Sequence, residues 1–223
     1  EFDAKVVDMY IRAAKEYGDV PLTVANDGDV TALAGSMSLK SGQVLGIAMG
    51  TSEAAGYVNK DGNLNGWLSE LAFVPVDYNK GAMVDEWSGD YGCGVKYFSQ
   101  DGVIKLAGFA GIELDENASP AEKLKVVQGL MKEHDPRAKE IYENLGIYLG
   151  YSIAYYSDFY DITHSLLLGR VTSGEGGDII IAKADEVLKA EFPEYKDVII
   201  RTPDEWTRRV GQSIAAASLP ASK

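Results

Sequence analysis

The chain has 223 residues, of which 34 are acidic and 21 are basic, so its formal net charge is −13 at pH 7. This negative charge argues against a nucleic-acid-binding surface, because phosphate binding needs clustered lysine and arginine. Its 46% hydrophobic and 25% charged residues are the balance of a globular protein with a packed core. A single cysteine, Cys93, excludes an internal disulfide and an all-cysteine zinc site, and the lack of an apolar run of about 18 residues argues against a membrane span.

The N-terminal segment, residues 1–19, predicts an amphipathic helix that ends at Gly18 rather than a signal peptide. We therefore expect a cytoplasmic protein. The sequence begins without methionine and directly in this helix, so we also expect the chain to be a fragment of a longer protein.

The stretch VANDGDVTALAG, residues 24–35, contains the first candidate site. A short predicted strand, LTVA, stops at Asn26 and Asp27, and the alanine-rich segment after it lacks the alternation of a second hairpin strand, so it predicts a helix. An aspartate after a strand can act as general base towards a hydroxyl that the neighbouring asparagine holds. Helix capping is the commoner role of Asn or Asp at such a junction. Both interpretations stay open on these residues alone.

The next part of the chain is predicted to be β-structure, with strands at 43–50 and 54–60 and an extended segment at 67–79. The turn after the first strand holds Gly50, Thr51 and Ser52, whose N–H groups and hydroxyls suit either a phosphate or a simple turn. Glu70 lies in the apolar run WLSELAF. There it is either exposed at an edge or a ligand for polar groups such as sugar hydroxyls.

Helices are predicted to dominate the rest of the chain, alternating with strands near the C-terminus. Ser119 and Pro120 begin one helix, and a longer helix with a Gly146-x-x-x-Gly150 spacing follows. The glycines there predict close packing in a soluble core. The last segments are predicted as strand, glycine loop, helix, strand and helix, which favours an α/β fold with a mixed sheet covered by helices.

The glycine loop GRVTSGEGGD, residues 169–178, follows a buried strand and precedes a helix. Bare backbone there lets a flat ring or a phosphate approach closely. The spacing is not the dinucleotide-binding GxGxxG, and the next strand ends in Arg201 rather than a ribose-binding acid. The loop therefore predicts nucleotide contact of another kind.

In this order the segments resemble the ROK family (repressors, open reading frames and sugar kinases) of the actin/hexokinase/Hsp70-like ATPase superfamily. The resemblance is carried by Asn26-Asp27, by GIAMGTSEAAGYV, by DGNLNGWLSELAFVP and by LGYSIAYYSDFYDITHSLLLGRVTSGEGG. It implies a ribonuclease H-like lobe with a mixed five-stranded sheet and helices on both faces. It further implies that residues 1–27 end an N-terminal lobe and that residues 28–223 form the C-terminal ATPase-type lobe.

The chain departs from the family pattern at several positions. The family's sugar-binding histidine and glutamate correspond to Phe73 and Val95, and Ser52 and Ala54 stand where glycines are usual. The zinc-binding run corresponds to residues 86–95, in which Cys93 is the one matching cysteine, so no structural zinc is expected. The family's first phosphate loop, Asp-x-Gly-x-Thr, is absent.

The resemblance implies an ATP-dependent sugar kinase that uses Mg²⁺, present here as a fragment that should not turn over alone. Asp27 would be the general base, and Asn26 and Glu70 would bind the sugar. Phosphate and nucleotide contacts would come from six residues: Gly50, Thr51, Ser52, Gly174, Gly176 and Gly177. The expected partners are a small sugar and ATP, with a homodimer possible and neither nucleic acid nor membrane involved. The alternative is a non-catalytic sugar-sensing module of the same superfamily.

Overall fold

The structure is a computed structural model and describes residues 2–205 and 207–219. The described α-helices are α1 (Phe2–Lys5), α2 (Met9–Glu16), α3 (Asp27–Leu39), α4 (Gln100–Phe109), α5 (Pro120–Lys132), α6 (Pro136–Tyr156), α7 (Glu175–Glu191) and α8 (Gln212–Ser218). The described strands are β1 (Val44–Met49), β2 (Glu53–Val58), β3 (His164–Leu168) and β4 (Ile199–Arg201). Three short 3-10 helices lie at Leu71–Phe73, Gly94–Lys96 and Pro193–Tyr195, and a π-helical turn lies at Thr207–Gly211.

One mixed sheet with the strand order β2-β1-β3-β4 lies at the centre of the fold. β1 and β2 form an antiparallel hairpin in which Met49 pairs with Glu53. β1, β3 and β4 run parallel, with His164 placed between Val44 and Ile199. The α/β class predicted from the sequence is confirmed, and the ribonuclease H-like classification stays a prediction.

The described residues form four strands in this sheet rather than the predicted five. The extended segment 67–79 instead contains the 3-10 helix Leu71–Phe73 and an isolated bridge between Pro75 and Cys93. This bridge rests on two hydrogen bonds, from the Gly94 N–H to Val74 O at 2.9 Å and from the Val76 N–H to Gly92 O at 2.7 Å. The predicted strand LTVA, residues 22–25, also lacks a partner strand among the described residues, and Val24 is exposed.

Helices cover both faces of the sheet, as predicted. On one face α3 packs against β1 and β2, and Gly46 lies directly beneath Ala32. On the other face Leu45 and Ile47 belong to the large apolar core that α4, α5, α6 and α7 complete. The period-2 alternation of side chains along a strand sends neighbouring residues of β1 to these two different layers.

The start of α3 lies close to β2 because two glycines remove the side chains between them. A Cβ atom on Gly28 would lie 2.1 Å from the carbonyl oxygen of Ala55, and one on Gly56 would lie 2.4 Å from the backbone nitrogen of Asp29. Contacts this short are far inside van der Waals distance, so only glycine allows this approach. The approach places the first turn of α3 beside the β1–β2 hairpin.

The predicted helices are found with shifted ends. The N-terminal helix is divided into α1 and α2, with Asp8 between them in the left-handed region at φ 55°. The apolar pattern predicts the longer helix over residues 137–163, whereas α6 ends at Tyr156. Cβ atoms on Gly146 and Gly150 would lie 2.7 Å from Ile180 O and from Val187 Cβ respectively, which confirms the predicted close packing at these glycines.

The C-terminal segment 203–218, predicted as one helix, comprises the π-helical turn and α8. None of the described helices combines the length and the apolar character that a bilayer span requires.

Candidate functional site

A cleft of about 330 Å³, called here the first cleft, lies where the start of α3 meets the tip of the β1–β2 hairpin. It brings together six of the residues predicted from the sequence to form a site, although they come from three separate parts of the chain. These are Asn26, Asp27, Gly50, Thr51, Ser52 and Glu70. The side walls also include Glu53 and small residues of both strands.

Asn26 and Asp27 form the N-terminal end of α3 at the edge of this cleft. The amide oxygen of Asn26 caps the helix by accepting a hydrogen bond from the Gly28 N–H at 2.8 Å. Asp27 Oδ1 accepts from the same N–H at 2.9 Å. Asn26 therefore has the capping role considered above, while its amide nitrogen makes no hydrogen bond among the described residues and is available as a donor.

The loop between β1 and β2 presents backbone N–H groups to the cleft. The Gly50 N–H donates to Ser52 O at 3.0 Å, and Gly50 O accepts from the Gln100 N–H at 2.8 Å, so the loop is fixed at its base. The N–H groups of Thr51 and Ser52 have no such partner within the described part of the chain, and both residues are exposed. Successive free N–H groups with adjacent hydroxyls suit an anion such as a phosphate.

Two glutamates with very different surroundings also line the first cleft. Glu70 is exposed and precedes the 3-10 helix Leu71–Phe73. Glu53 is 5% exposed, and both of its carboxyl oxygens are buried without a hydrogen-bond partner. Burial raises the pKa of Glu53 to about 8. The sequence prediction missed Glu53, whose signal is a lone charge within the small apolar hairpin AMGTSEAAGYV.

A second cleft, of about 550 Å³, lies between α5 and the start of α7. Gly174 and Gly176 of the glycine loop line it, and their contact with a nucleotide stays a prediction. Gly174 has φ 72°, and a Cβ atom on Gly176 would lie 2.5 Å from the ring of Tyr142. Gly177 is not among the lining residues; instead it packs against the backbone of Thr172.

The loops that carry the two clefts meet at one edge of the sheet. β1 and β3 are adjacent and parallel, so the hairpin loop and the glycine loop both follow carboxyl ends of strands. The Val171 N–H donates to Met49 O at 3.3 Å, and a Cβ atom on Gly169 would lie 2.2 Å from the same oxygen. Ligands of open α/β sheets bind at this edge.

The segment that corresponds to the family's zinc run is held by ion pairs. The side chain of Lys96 is 7% exposed and contacts Asp85 at 3.2 Å, Glu86 at 2.6 Å and Asp101 at 2.8 Å. Burial works against the charge of Lys96, but hydrogen bonds to these acids raise its pKa. The described residues contain no group of three or more His, Cys, Asp or Glu side chains placed to hold a metal.

Phe73 and Val95 are the apolar residues at two positions where the family resemblance implies polar side chains. Phe73 is 37% exposed and stacks against Trp87, with ring centroids 5.7 Å apart. Val95 lies in the 3-10 helix Gly94–Lys96. Neither residue lines the first cleft.

Searches against known sequences and known structures give different results. No model of a known protein family matches the chain, and no curated protein sequence matches it. Solved structures do match. A ROK hexokinase from Thermus thermophilus superposes with a TM-score of 0.74 at 16% identity, over 94% of this chain and 68% of that one.

Two further solved structures match the chain, and one is a transcriptional regulator whereas the other is a kinase. A ROK family transcriptional regulator, a homologue of the E. coli MLC protein, matches with a TM-score of 0.73 at 18% identity, over 94% of this chain and 55% of its own. A ROK glucokinase from Streptomyces griseus, solved with glucose and AMPPNP, matches with a TM-score of 0.66 at 15% identity, over 92% of this chain and 70% of its own. The chain therefore has the fold of ROK proteins, which confirms at the level of fold the resemblance found in the sequence.

Proposed function

We propose that this protein transfers a phosphoryl group from ATP to a hydroxyl of a sugar. The observation that carries the proposal is the first cleft, which gathers an aspartate, an asparagine and a phosphate-type loop next to a second, glycine-walled cleft at the same sheet edge. Phosphoryl transfer needs such an arrangement because its catalysis rests on positioning and on charge stabilisation. The sugar and nucleotide in the glucokinase structure agree with this assignment.

Most of the predicted residues have a role in this proposed reaction; the exceptions are Gly50, whose N–H is bonded to Ser52 O, and Gly177, which packs against Thr172. Asp27 takes the proton from the attacking hydroxyl, while the amide nitrogen of Asn26 and the carboxylate of Glu70 hold neighbouring hydroxyls. The N–H groups of Thr51 and Ser52 bind phosphate oxygens, and the adenosine lies against Gly174 and Gly176 in the second cleft. These roles follow from where the residues lie and from the chemistry of their groups.

The residues of the first cleft fit Mg²⁺ if phosphate oxygens provide most of its ligands, since the described residues hold no cluster able to bind a metal alone. Asp27 and Glu70 are exposed carboxylates in this cleft and would hold the ion through its water ligands, which leaves Asp27 able to accept the proton and Glu70 able to bind the sugar. When bound with the nucleotide, Mg²⁺ neutralises charge on the phosphates.

A sugar-sensing module without catalysis is the second candidate, and two observations favour it. One structural neighbour is a transcriptional regulator. In addition, Phe73 and Val95 stand where the family resemblance calls for polar sugar ligands, and Phe73 stacks on Trp87 instead. Such a module binds a sugar and leaves ATP intact, so ATP turnover separates the two candidates.

The Asp27→Asn variant of the gene product tests the catalytic role. Asparagine retains the oxygen that accepts from the Gly28 N–H, so the helix start should persist. Loss of the base should reduce turnover by about 10²- to 10⁴-fold while sugar affinity stays near that of the unchanged protein. Sugar phosphate formation and equilibrium sugar binding are measured in parallel.

Asp61→Asn, at the exposed turn after β2, is the matched control and should leave both quantities unchanged. Near-normal turnover in Asp27→Asn would contradict the assignment of Asp27 as the base.

A further inference from the structure

The second cleft combines apolar side chains with walls that carry little bulk. The buried side chains of Leu124, Met131 and Tyr142 line it, and a glycine stands on each side, Gly129 in α5 and Gly174 in the glycine loop. A Cβ atom on either glycine would meet no neighbouring atom within 4 Å, so open space lies beside both walls. Apolar surface beside bare backbone suits a flat ring.

Gln128 joins the two walls of this cleft and has a fixed orientation. Its Nε2 donates a hydrogen bond to the carbonyl oxygen of Arg170 at 2.9 Å, although 42 residues separate the two in sequence. Because a carbonyl oxygen can only accept, the NH₂ end of the amide faces Arg170 and Oε1 points the other way.

The Oε1 atom of Gln128 is an accessible acceptor. Gln128 is half-buried and lines the second cleft, in which it is the only side-chain amide among the described residues. Its Oε1 accepts no hydrogen bond within the described part of the chain and is not among the side-chain atoms covered by protein without a partner. A ligand in the cleft can therefore donate to this oxygen.

The second cleft is also basic. Lys125, Lys132 and Arg170 line it against a single acid, Glu175. The first cleft is the opposite, with three carboxyl groups and, among the described residues that line it, no lysine, arginine or histidine. An excess of positive charge favours an anionic ligand in the second cleft. The cleft thus suits a ligand that combines an anionic group with a flat ring bearing a hydrogen-bond donor.

We propose that Gln128 selects the base of the nucleotide, with its Oε1 accepting a hydrogen bond from the exocyclic amine of adenine. The proposal rests on the proposed kinase function, which puts adenosine in this cleft, and it names the residue that determines which nucleotide is used. Guanine and hypoxanthine carry a carbonyl oxygen at the same ring position, so acceptor would face acceptor and Oε1 would lose its hydrogen bond. Turning the amide over to offer Nε2 would break the bond to Arg170 O.

The other polar side chains of the second cleft are less able to make this selection. The hydroxyl of Ser173 both donates and accepts, and the lysines and Arg170 only donate, so none of them favours an amine over a carbonyl oxygen. Glu175 is an acceptor, but it is exposed and makes no hydrogen bond among the described residues. Its side chain can turn away from a carbonyl oxygen, whereas the amide of Gln128 is held in place.

The experiment compares ATP with ITP, whose hypoxanthine has an oxygen in place of the adenine amine, for the gene product and two variants. The readouts are kcat/KM for sugar phosphorylation and the Kd of ADP and IDP. The unchanged protein should favour the adenine nucleotide by at least about tenfold in both quantities. Gln128→Met, which keeps the length of the side chain without the amide, should reduce this preference by at least about fivefold. Glu133→Gln, exposed at the end of α5 and outside the cleft lining, should keep it.

The outcomes separate this proposal from the kinase proposal. Sugar phosphorylation with no adenine preference, or with a preference that Gln128→Met leaves intact, overturns the role of Gln128 and leaves the kinase standing. A Gln128-dependent preference for ADP over IDP without sugar phosphorylation supports base selection and overturns the kinase proposal. Absence of nucleotide binding and of sugar phosphorylation overturns both.

Discussion

The buried carboxyl group of Glu53 makes the stability of the fold depend on pH. Its pKa is raised by burial to about 8 from a usual value of 4.5, so the folded protein keeps a proton that the unfolded chain releases. Relative to alkaline pH, protonation of Glu53 therefore stabilises the folded protein, and this stabilisation is fully present below pH 4.5. It is lost progressively as the pH rises from 4.5 to about 8.

Glu53→Gln should therefore remove one component of the pH dependence of stability. The free energy of unfolding of the variant minus that of the unchanged protein should rise by about 1.4 kcal/mol per pH unit between pH 4.5 and 8, because one proton is released in this range. Urea unfolding at several pH values measures this difference. Glu113→Gln should give a flat difference, and a flat difference for Glu53→Gln would contradict the buried, protonated state of Glu53.

At the residue level only part of the candidate site could be predicted from the sequence. Asn26, Asp27 and Glu70 could be proposed because their motif order resembles a known family, and the structure places them in one cleft. Glu53 could not be assigned because its environment depends on Gly94 and Leu71, which lie far along the chain. Gly177 was grouped with its neighbours by spacing, although it packs inward against Thr172.

The packing of α3 on β2 determines where Asp27 lies, and one glycine controls this packing. Gly28→Ala places a Cβ atom 2.1 Å from the carbonyl oxygen of Ala55, a backbone atom that has little freedom to move. The start of α3 should therefore shift away from the hairpin. The variant should lose about 2–4 kcal/mol of unfolding free energy and most of its turnover.

Gly129→Ala in α5 is the matched control because no atom lies within 4 Å of the added Cβ. It should be neutral or stabilising by up to about 1 kcal/mol, the usual helix preference of alanine over glycine. Denaturant unfolding compares the two variants. A Gly28→Ala protein as stable as the control would show that the close approach of α3 to β2 is not required.

The segment between the 3-10 helices depends on the Lys96 ion pairs. Lys96→Met should destabilise the protein by about 3 kcal/mol because the buried Asp85 loses its cation and faces Glu86 and Asp101. Lys139→Met removes only an exposed pair with Glu143 and should cost less than about 0.5 kcal/mol.

A chelator should leave the melting temperature of the unchanged protein unaltered. A large chelator-induced decrease, or equal effects of the two substitutions, would contradict this account.

At the level of elements, periodicity and capping predicted the helices well. Ser119 and Pro120 marked the start of α5, and the structure has the complete capping box there with Glu122. The C-terminal end of α6 and the break between α1 and α2 at Asp8 could not be predicted. A pattern of apolar residues does not show where a residue in the left-handed region or a tertiary contact ends a helix. The predicted extended segment 67–79 is interrupted by the 3-10 helix Leu71–Phe73, and its pairing is limited to the isolated bridge between Pro75 and Cys93.

For the whole molecule, the order of motifs predicted the fold although no family model matches the sequence. The hairpin loop and the glycine loop lie side by side at the sheet edge because β1 and β3, which they follow, are adjacent and parallel. The opposite charges of the two clefts could not be predicted in the same way. The acids of the first cleft are Asp27, Glu53 and Glu70, and the bases of the second cleft lie in α5 and the glycine loop, so each set comes together only in three dimensions.

The measurement that tests the central claim most directly is the detection of sugar phosphate by mass spectrometry after incubation of the purified gene product with Mg²⁺, ATP and a panel of hexoses and amino sugars. Our account predicts one sugar phosphate formed for each ADP released. Sugar binding with ATP left intact would contradict the account and would assign the protein to the non-catalytic sugar-sensing modules.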